Sequence, residues 1–264
     1  MPHYRAIAAY YDAENEQHAM LERDLPFFLG HLPSRKRLRV LDVACGTGRS
    51  SIPIAQAGHR VVGVDYAQDM LDIAVRKRDS VGIKERDLSF TRQDALKLDL
   101  TRRERPFDWA CIFFNTFLNF TTLAQQDRLL SRIRAHLKPR GGRLWIDIFH
   151  PDPQRLSGPK RTKIDPSMFH VPSLERTVYR DVDIRPEPAK QLQHVTFNYR
   201  WFDGDGREKR TKVEFSLTWI VPRELEILLE RNGFKLEALY GDYDGSTLKD
   251  ESPRMIAMAA RTKD

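Results

Sequence analysis

Cysteine is nearly absent: Cys45 and Cys111 are the only two in 264 residues, too few for a disulfide framework and in no metal-ligand spacing. Both read as small apolar packing residues. Long apolar runs are missing too. None approaches the ~20 residues a bilayer span requires, and the opening stretch MPHYRAIAAYYDAENEQ has no signal-peptide core. The chain is therefore expected in the cytoplasm, with no membrane partner. Excess of one charge is modest. Lys and Arg number 44 against 37 Asp and Glu, a net +7, but the signs are interspersed throughout. The short clusters Arg35-Lys36-Arg37, Arg76-Lys77-Arg78 and Arg102-Arg103 fall where helix ends and loops are expected, so solvated surface explains the charge better than a nucleic-acid footprint. At 41% hydrophobic and 31% charged, the chain is globular, with room for one large domain plus an insertion or for two small domains.

One stretch organises the rest. Val40-Leu41-Asp42-Val43 is an apolar run that breaks into Ala44-Cys45-Gly46-Thr47-Gly48 and resumes with helical spacing at Ile52, Ile54 and Ala55. A strand, a Gly-rich turn and a helix start in succession form the unit that binds nucleotides in doubly wound sheets. Glycines let a ligand approach the backbone, and a helix start offers free N–H groups. A second strand, His59 to Asp65, ends on an acid placed to accept hydrogen bonds from ribose hydroxyls. A dinucleotide site calls for G-x-G-x-x-G. Here Ala44 and Ser51 stand where further glycines would flank Gly46 and Gly48, so that fingerprint is incomplete.

The run Asp42-x-Ala44-Cys45-Gly46-Thr47-Gly48 resembles motif I of the class I S-adenosylmethionine (SAM) methyltransferases, although that family more often has Gly where Ala44 stands. The resemblance implies SAM as cofactor, S-adenosylhomocysteine as product, and a set of contacts. Asp42, Ala44, Gly46 and Gly48 would surround the amino-acid end, with Tyr11 facing it from a preceding helix. Asp65 would hold the ribose. Asp65-Tyr66-Ala67-Gln68-Asp69-Met70-Leu71 is similar to the family's D-x-S-x-x-M-L pattern, in which Tyr66 and Met70 would line the adenine. Gln93-Asp94-Ala95 follows a third strand, where Asp94 would take the adenine amino group and the Ala95 N–H a ring nitrogen. Phe114, closing the fourth strand, would complete the cofactor site. Ordinary packing remains open for Tyr11 and Met70, and capping of a turn for Asp94.

Pro106 to Phe114 reads as a strand buried on both faces, followed by Asn115-Thr116-Phe117-Leu118-Asn119-Phe120. In the family this loop faces the transferred methyl. Enzymes acting on exocyclic amines of nucleobases carry Asn/Asp-Pro-Pro-aromatic there; no proline is present here, which argues against nucleic acid as acceptor. Lys138-Pro139-Arg140-Gly141-Gly142 resembles the helix stop before the family's fifth strand. Residues 150–220 change character. Pro151, Pro153, Pro159, Pro166 and Pro172 make the first part loop-like, and Thr177–Ile184, Gln191–Phe202 and Lys209–Val221 alternate as antiparallel strands.

The expected fold is α/β: a doubly wound, seven-stranded, mostly parallel sheet of the Rossmann-like methyltransferase kind, its last strand antiparallel, with a small antiparallel sheet inserted. Residues 1–34 would form a helical cap, 35–150 and 221–264 the SAM-binding core, and 151–220 a lid for substrate or for homodimerisation. Asn115, Asn119 and His150 are the polar groups expected near the methyl, with His150 a candidate base. Tyr179, Tyr199, Trp201 and Tyr243 would line the acceptor. The inserted sheet resembles the lid of small-molecule methyltransferases, including sugar N-methyltransferase-like members. The expected activity is methyl transfer, without a metal, to a nitrogen or oxygen of a small molecule. An RNA or protein methyltransferase and a non-catalytic SAM-binding protein are the alternatives.

Overall fold

A computed structural model describes residues 7–16, 18–34, 36–101, 104–151 and 161–262. Arg35, Arg102 and Arg103 of the basic clusters, and Pro153 and Pro159 of the proline-rich stretch, lie outside them. The elements run α1 (Ala8–Asn15), α2 (Asp24–Gly30), β1 (Arg39–Val43), α3 (Ser51–Gln56), β2 (Arg60–Asp65), α4 (Gln68–Ser80), β3 (Leu88–Arg92), β4 (Trp109–Ile112), α5 (Leu123–His136) and β5 (Arg143–Phe149). They continue with β6 (Thr162–Val171), β7 (Arg176–Glu187), β8 (Leu192–Phe202), β9 (Glu208–Thr218), α6 (Pro222–Arg231), β10 (Phe234–Tyr240) and β11 (Arg254–Arg261).

The main sheet has seven strands in the order β3-β2-β1-β4-β5-β11-β10. The first five are parallel, and β11 lies antiparallel between β5 and β10. Its central strands are apolar runs because both faces are covered. On one side α5 and α6 bring Leu129, Leu130, Ile133, Leu225, Leu228 and Leu229 onto β1, β4 and β5. On the other, Phe28, Ile52 and Ile54 pack with Trp109 and Trp145. Local chemistry sets the helix limits. Thr122 and Gln125 form a reciprocal capping box that starts α5. Pro222 opens α6 and Gly233, at φ +74°, follows its end. The fourth strand is shorter than its apolar run. Phe107 only bridges Leu137, and Phe114 and Asn115 turn the chain away with φ of +50° and +64°.

The second sheet is a meander, β6-β7-β8-β9, antiparallel throughout. Val178, Val182, Val195, Tyr199 and Val213 are buried on its inner face, and the end carrying Val178, Tyr199 and Val213 packs against Ile7 and Tyr10 beside α1. Residues 162–171 correct the sequence expectation, which made this stretch a loop on the strength of its prolines. They form β6, an edge strand where Pro166 needs no partner for its missing N–H, and the register shifts between Ile164 and Ser167 to accommodate it. Asp203 shapes the tight β8–β9 turn, its Oδ1 accepting from the N–H groups of Asp205 (3.1 Å) and Arg207 (2.9 Å).

Candidate functional site

A cavity opens at the carboxyl ends of β1 to β4, where ligands bind in open α/β sheets. Tyr11, Ala44, Gly46, Asp65, Tyr66, Met70, Gln93, Ala95 and Asn119 of the sequence-derived set all line it. Val64, Thr116 and Phe120 join them without having been singled out. Thr116 and Phe120 flank Asn119 in the same loop, and Val64 precedes Asp65.

The loop after β1 is shaped by backbone conformation. Ala44 has φ +58° and Gly46 φ +54°, so the chain turns through the left-handed region twice in three residues. Ala is the smallest side chain that holds such a turn, at a cost of about 1–2 kcal/mol that Gly avoids. Gly48 (φ +77°) is needed for a second reason: a Cβ there would come within 3.0 Å of Phe90 Cζ and 3.2 Å of Ala74 Cβ. Gly48 therefore supports the loop from behind and does not line the cavity.

Asp65 is the polar centre. Its Oδ2 accepts from the Gly46 N–H at 2.9 Å and its Oδ1 from the Ala67 N–H at 2.8 Å. Burial raises its pKa, and these backbone donors oppose the rise. The Tyr66 N–H is a third such donor, and of the roughly four lone-pair sites of a carboxylate one remains for a ligand hydroxyl. Across the cavity, the Tyr11 ring lies against Gly46, where an added Cβ would be 4.0 Å from its Cε1. Burial pushes the Tyr11 pKa up to about 12, so the hydroxyl stays protonated.

Other sequence-derived residues sit elsewhere. Asp42 is buried beneath the loop, and its Oδ2 accepts from the hydroxyls of both Ser50 and Ser51 at 2.6 Å. It buttresses the turn and does not reach the cavity. Asp94 takes the capping role: its Oδ1 accepts from the Leu96 N–H at 2.9 Å, in a depression beside the cavity shared with Tyr66 and Gln93. Asn115 is spent on the fold, its Oδ1 accepting from the Phe149 N–H at 2.7 Å. His150 is not in the lining, and its Nδ1 bonds the Ser252 carbonyl at 3.2 Å. Phe114 stands behind the lining, with the Arg49 guanidinium 5.8 Å above its ring and the His18 ring 6.1 Å away.

The four aromatic residues expected around an acceptor separate. Tyr199 is 1% exposed and donates to Glu14 Oε2 at 2.9 Å, which closes it to any ligand. Tyr243 is also buried and donates to Asp147. Trp201 packs on Tyr10 at 5.8 Å. Tyr179 alternates with the buried Val178 and so faces away from α1, under the Arg200 guanidinium at 4.9 Å.

Two buried acid–Arg pairs escaped the sequence reading. Asp24 takes both Nη atoms of Arg49 (3.1 and 2.6 Å), and Asp147 accepts from Nε (3.0 Å) and Nη2 (2.5 Å) of Arg254. Asp147 interrupts the apolar run of β5, and an acid in such a place signals a buried partner. The partner's identity has no local signal. Among the described residues, no group of three or more His, Cys, Asp or Glu is placed to hold a metal ion, and no helix is long and apolar enough to cross a membrane.

A Gly-turned loop, a strand-ending acid and a hairpin closing the sheet define the class I SAM-dependent methyltransferase fold. Residues 40–141 match the model of a methyltransferase-domain family. The cypemycin N-terminal methyltransferase of a Streptomyces species is 28% identical over 224 residues, covering 84% of this chain and 82% of its own. A SAM-dependent methyltransferase structure from Clostridium acetobutylicum superposes with a TM-score of 0.80 at 18% identity, over 99% of both chains. SAM-bound CalS10, an amino pentose methyltransferase from Micromonospora echinaspora, gives 0.71 at 20% identity over 96% of both.

Proposed function

We propose that this protein binds SAM in the cavity and transfers its methyl group to a nitrogen of a small-molecule acceptor, with oxygen as the second choice. The observation that carries the reading is Asp65. Its carboxylate is fixed at the cavity wall by the backbone N–H groups of Gly46, Ala67 and Tyr66 with acceptor capacity to spare, which fits a ribose hydroxyl. Tyr66 and Met70 supply a flat, polarisable wall for a purine, and the glycine loop leaves room for a tail beside Tyr11. When bound, SAM supplies a methyl already activated by its sulfonium, so the protein's task is alignment in a dry pocket, an effect that reaches about 7–11 kcal/mol.

Nitrogen is favoured by Asn119. Its Nδ2 donates to the Thr116 carbonyl at 3.3 Å, which fixes the amide orientation, while its Oδ1 is buried with no partner. An N–H from the ligand would satisfy that acceptor, and a buried acceptor left alone costs about 1–3 kcal/mol. The name of the Streptomyces relative, an N-terminal methyltransferase, supports the same reading. An amine must lose a proton before it attacks. His18, its pKa lowered first by burial and then by Arg180, stands beside Phe114 and, like His150, outside the cavity lining. The small sheet, tied to α1 through Glu14 and Arg180, is read as the acceptor lid.

Calorimetric titration with SAM, S-adenosylhomocysteine and NAD tests the cofactor assignment. Micromolar binding of the first two and none of NAD is expected, and binding of NAD alone overturns it. Transfer of radiolabelled methyl from SAM to a panel of amine and hydroxyl small molecules then tests the acceptor class.

A further inference from the structure

The small sheet bridges a gap, and both ends of its inner face are already taken. Alternate residues of a strand share one face, and on β9 the inward set is Val213, Phe215 and Leu217. Val213 packs with Tyr199 against Ile7 and Tyr10 beside α1. Leu217 packs onto the core of the main sheet, and β9 runs beside the Thr116–Asn119 turn at the cavity rim. Phe215 stands between these two anchorages. It meets the ring of Phe197 on β8 edge-on at 5.1 Å. Val182, Val195 and Val213 around the two rings are buried, whereas both phenylalanines stay only half-buried. The Arg180 guanidinium lies 5.1 Å over the Phe197 ring with its charge met by Glu14 of α1. That charge also reaches His18, whose ring is 6.1 Å from Phe114 at the end of β4. The two phenyl rings therefore roof the space between α1 and the turn that carries Asn119. The roof is apolar and the ion pair at its edge is formally neutral, a surface that favours an uncharged body over a buried charge.

We infer that Phe197 and Phe215 select the acceptor: an amine carried on an uncharged apolar body, alkyl or aromatic, with its nitrogen at Asn119 Oδ1 and its body under the two rings. This rests on the methyl-transfer reading above and narrows its acceptor from small molecules at large to one chemical class. Arg180 is a positioning residue that holds the Phe197 ring by a cation–π contact and ties it to α1 through Glu14. A phosphorylated amine would bring its charge against a pair already neutral, and a sugar amine would give up hydrogen bonds to water under phenyl rings that return none.

Primary n-alkylamines from propylamine to octylamine probe the roof directly. They are titrated at one pH into protein saturated with S-adenosylhomocysteine. Each added methylene should tighten binding to wild type by about two- to fourfold, and phosphoethanolamine and glucosamine should bind at least about tenfold more weakly than hexylamine. Phe197→Ala and Phe215→Ala should flatten the series to less than about 1.5-fold per methylene. Phe215→Trp lowers the roof, so octylamine should weaken by at least about fivefold while propylamine stays within about twofold. S-adenosylhomocysteine affinity within about threefold of wild type reports an intact pocket in each variant, and should the alanine variants fail to fold, Phe215→Trp carries the comparison. A wild-type series without chain-length dependence, or one that none of the substitutions alters, overturns the proposal. So does tighter binding of phosphoethanolamine or glucosamine, or no amine binding at all, and each of these leaves the cofactor reading standing. If wild type does not bind S-adenosylhomocysteine, it is the cofactor reading that falls, and the proposal with it.

Discussion

Asp42 offers a sharp separation between support of the loop and contact with the ligand. The Asp42→Asn variant keeps the side-chain shape. One amide oxygen can take the place of Oδ2, which alone receives both serine hydroxyls at 2.6 Å. The amide nitrogen would then face the Cys111 thiol, 3.8 Å from Oδ1 in the native chain. Burial raises the Asp42 pKa from 3.8 to about 6, with the Ser50 and Ser51 hydroxyls and Arg49 opposing the rise. In the unfolded chain the group titrates near its ordinary value, so between about pH 4 and 6 the folded state binds more protons than the unfolded one. Stability must then fall as pH rises through that window and level off above it. At 1.36 kcal/mol per pKa unit, the interval amounts to about 3 kcal/mol of charge-burial penalty carried at pH 7. The asparagine carries none. Urea unfolding of both proteins from pH 4 to 8 should therefore show the variant gaining about 3 kcal/mol relative to wild type across pH 4 to 6 and holding it above, with other titrating groups cancelling in the difference. Affinity for S-adenosylhomocysteine should stay within about threefold. A pH-independent difference would refute the buried-carboxylate argument, and a loss of affinity beyond about tenfold would return Asp42 to the cofactor site.

Asp65→Ala should lower SAM affinity by at least about 10-fold, since a charge-assisted bond to a ribose hydroxyl is worth roughly 1.5–3 kcal/mol; unchanged affinity in a titration would remove the observation on which the cofactor reading stands. Gly63→Ala should destabilise by about 1–3 kcal/mol, because its Cβ would fall 2.7 Å from Phe90 Cδ1 and 2.9 Å from Cys45 Sγ, and a wild-type urea midpoint would show that β2 has more room than its packing indicates. Arg254→Met should cost about 3–5 kcal/mol by leaving Asp147 charged and buried. If Asp147→Asn in that background fails to restore part of the loss in thermal melts, the pair is not the cause.

The features legible in the sequence are those written in neighbouring residues. The apolar runs of β1 and β4, the Ala44–Gly48 turn, the acid closing β2 and the terminal hairpin each carry a local pattern, and all are present in the sheet. The proline-rich stretch misled because proline forbids only the interior of a sheet. Position at an edge is a fact of topology, which Pro166 cannot announce. The site followed the same division. Backbone-defined positions such as Ala44, Gly46, Asp65 and Ala95 line the cavity, since strand ends put them there whatever their side chains do.

The three tyrosines show why the acceptor side was harder to read. Tyr179, Tyr199 and Tyr243 offer the same chemistry, the first two in the alternating strands of the inserted sheet and the third in the loop before the last strand. Their fates were decided by partners 185 and 96 positions away for two of them, Glu14 for Tyr199 and Asp147 for Tyr243. A buried phenol must find an acceptor, and a buried acid must find a donor or a cation. Each such acid therefore draws in an aromatic hydroxyl that would otherwise be free for substrate. Asp147 draws Tyr243 and Arg254; Glu14 draws Tyr199 and Arg180. Asn119 escaped this because the Thr116 carbonyl occupies its donor side and no described group reaches its oxygen. Polar atoms left over after the fold has satisfied its own demands are better markers of the ligand than aromatic residues counted along a strand.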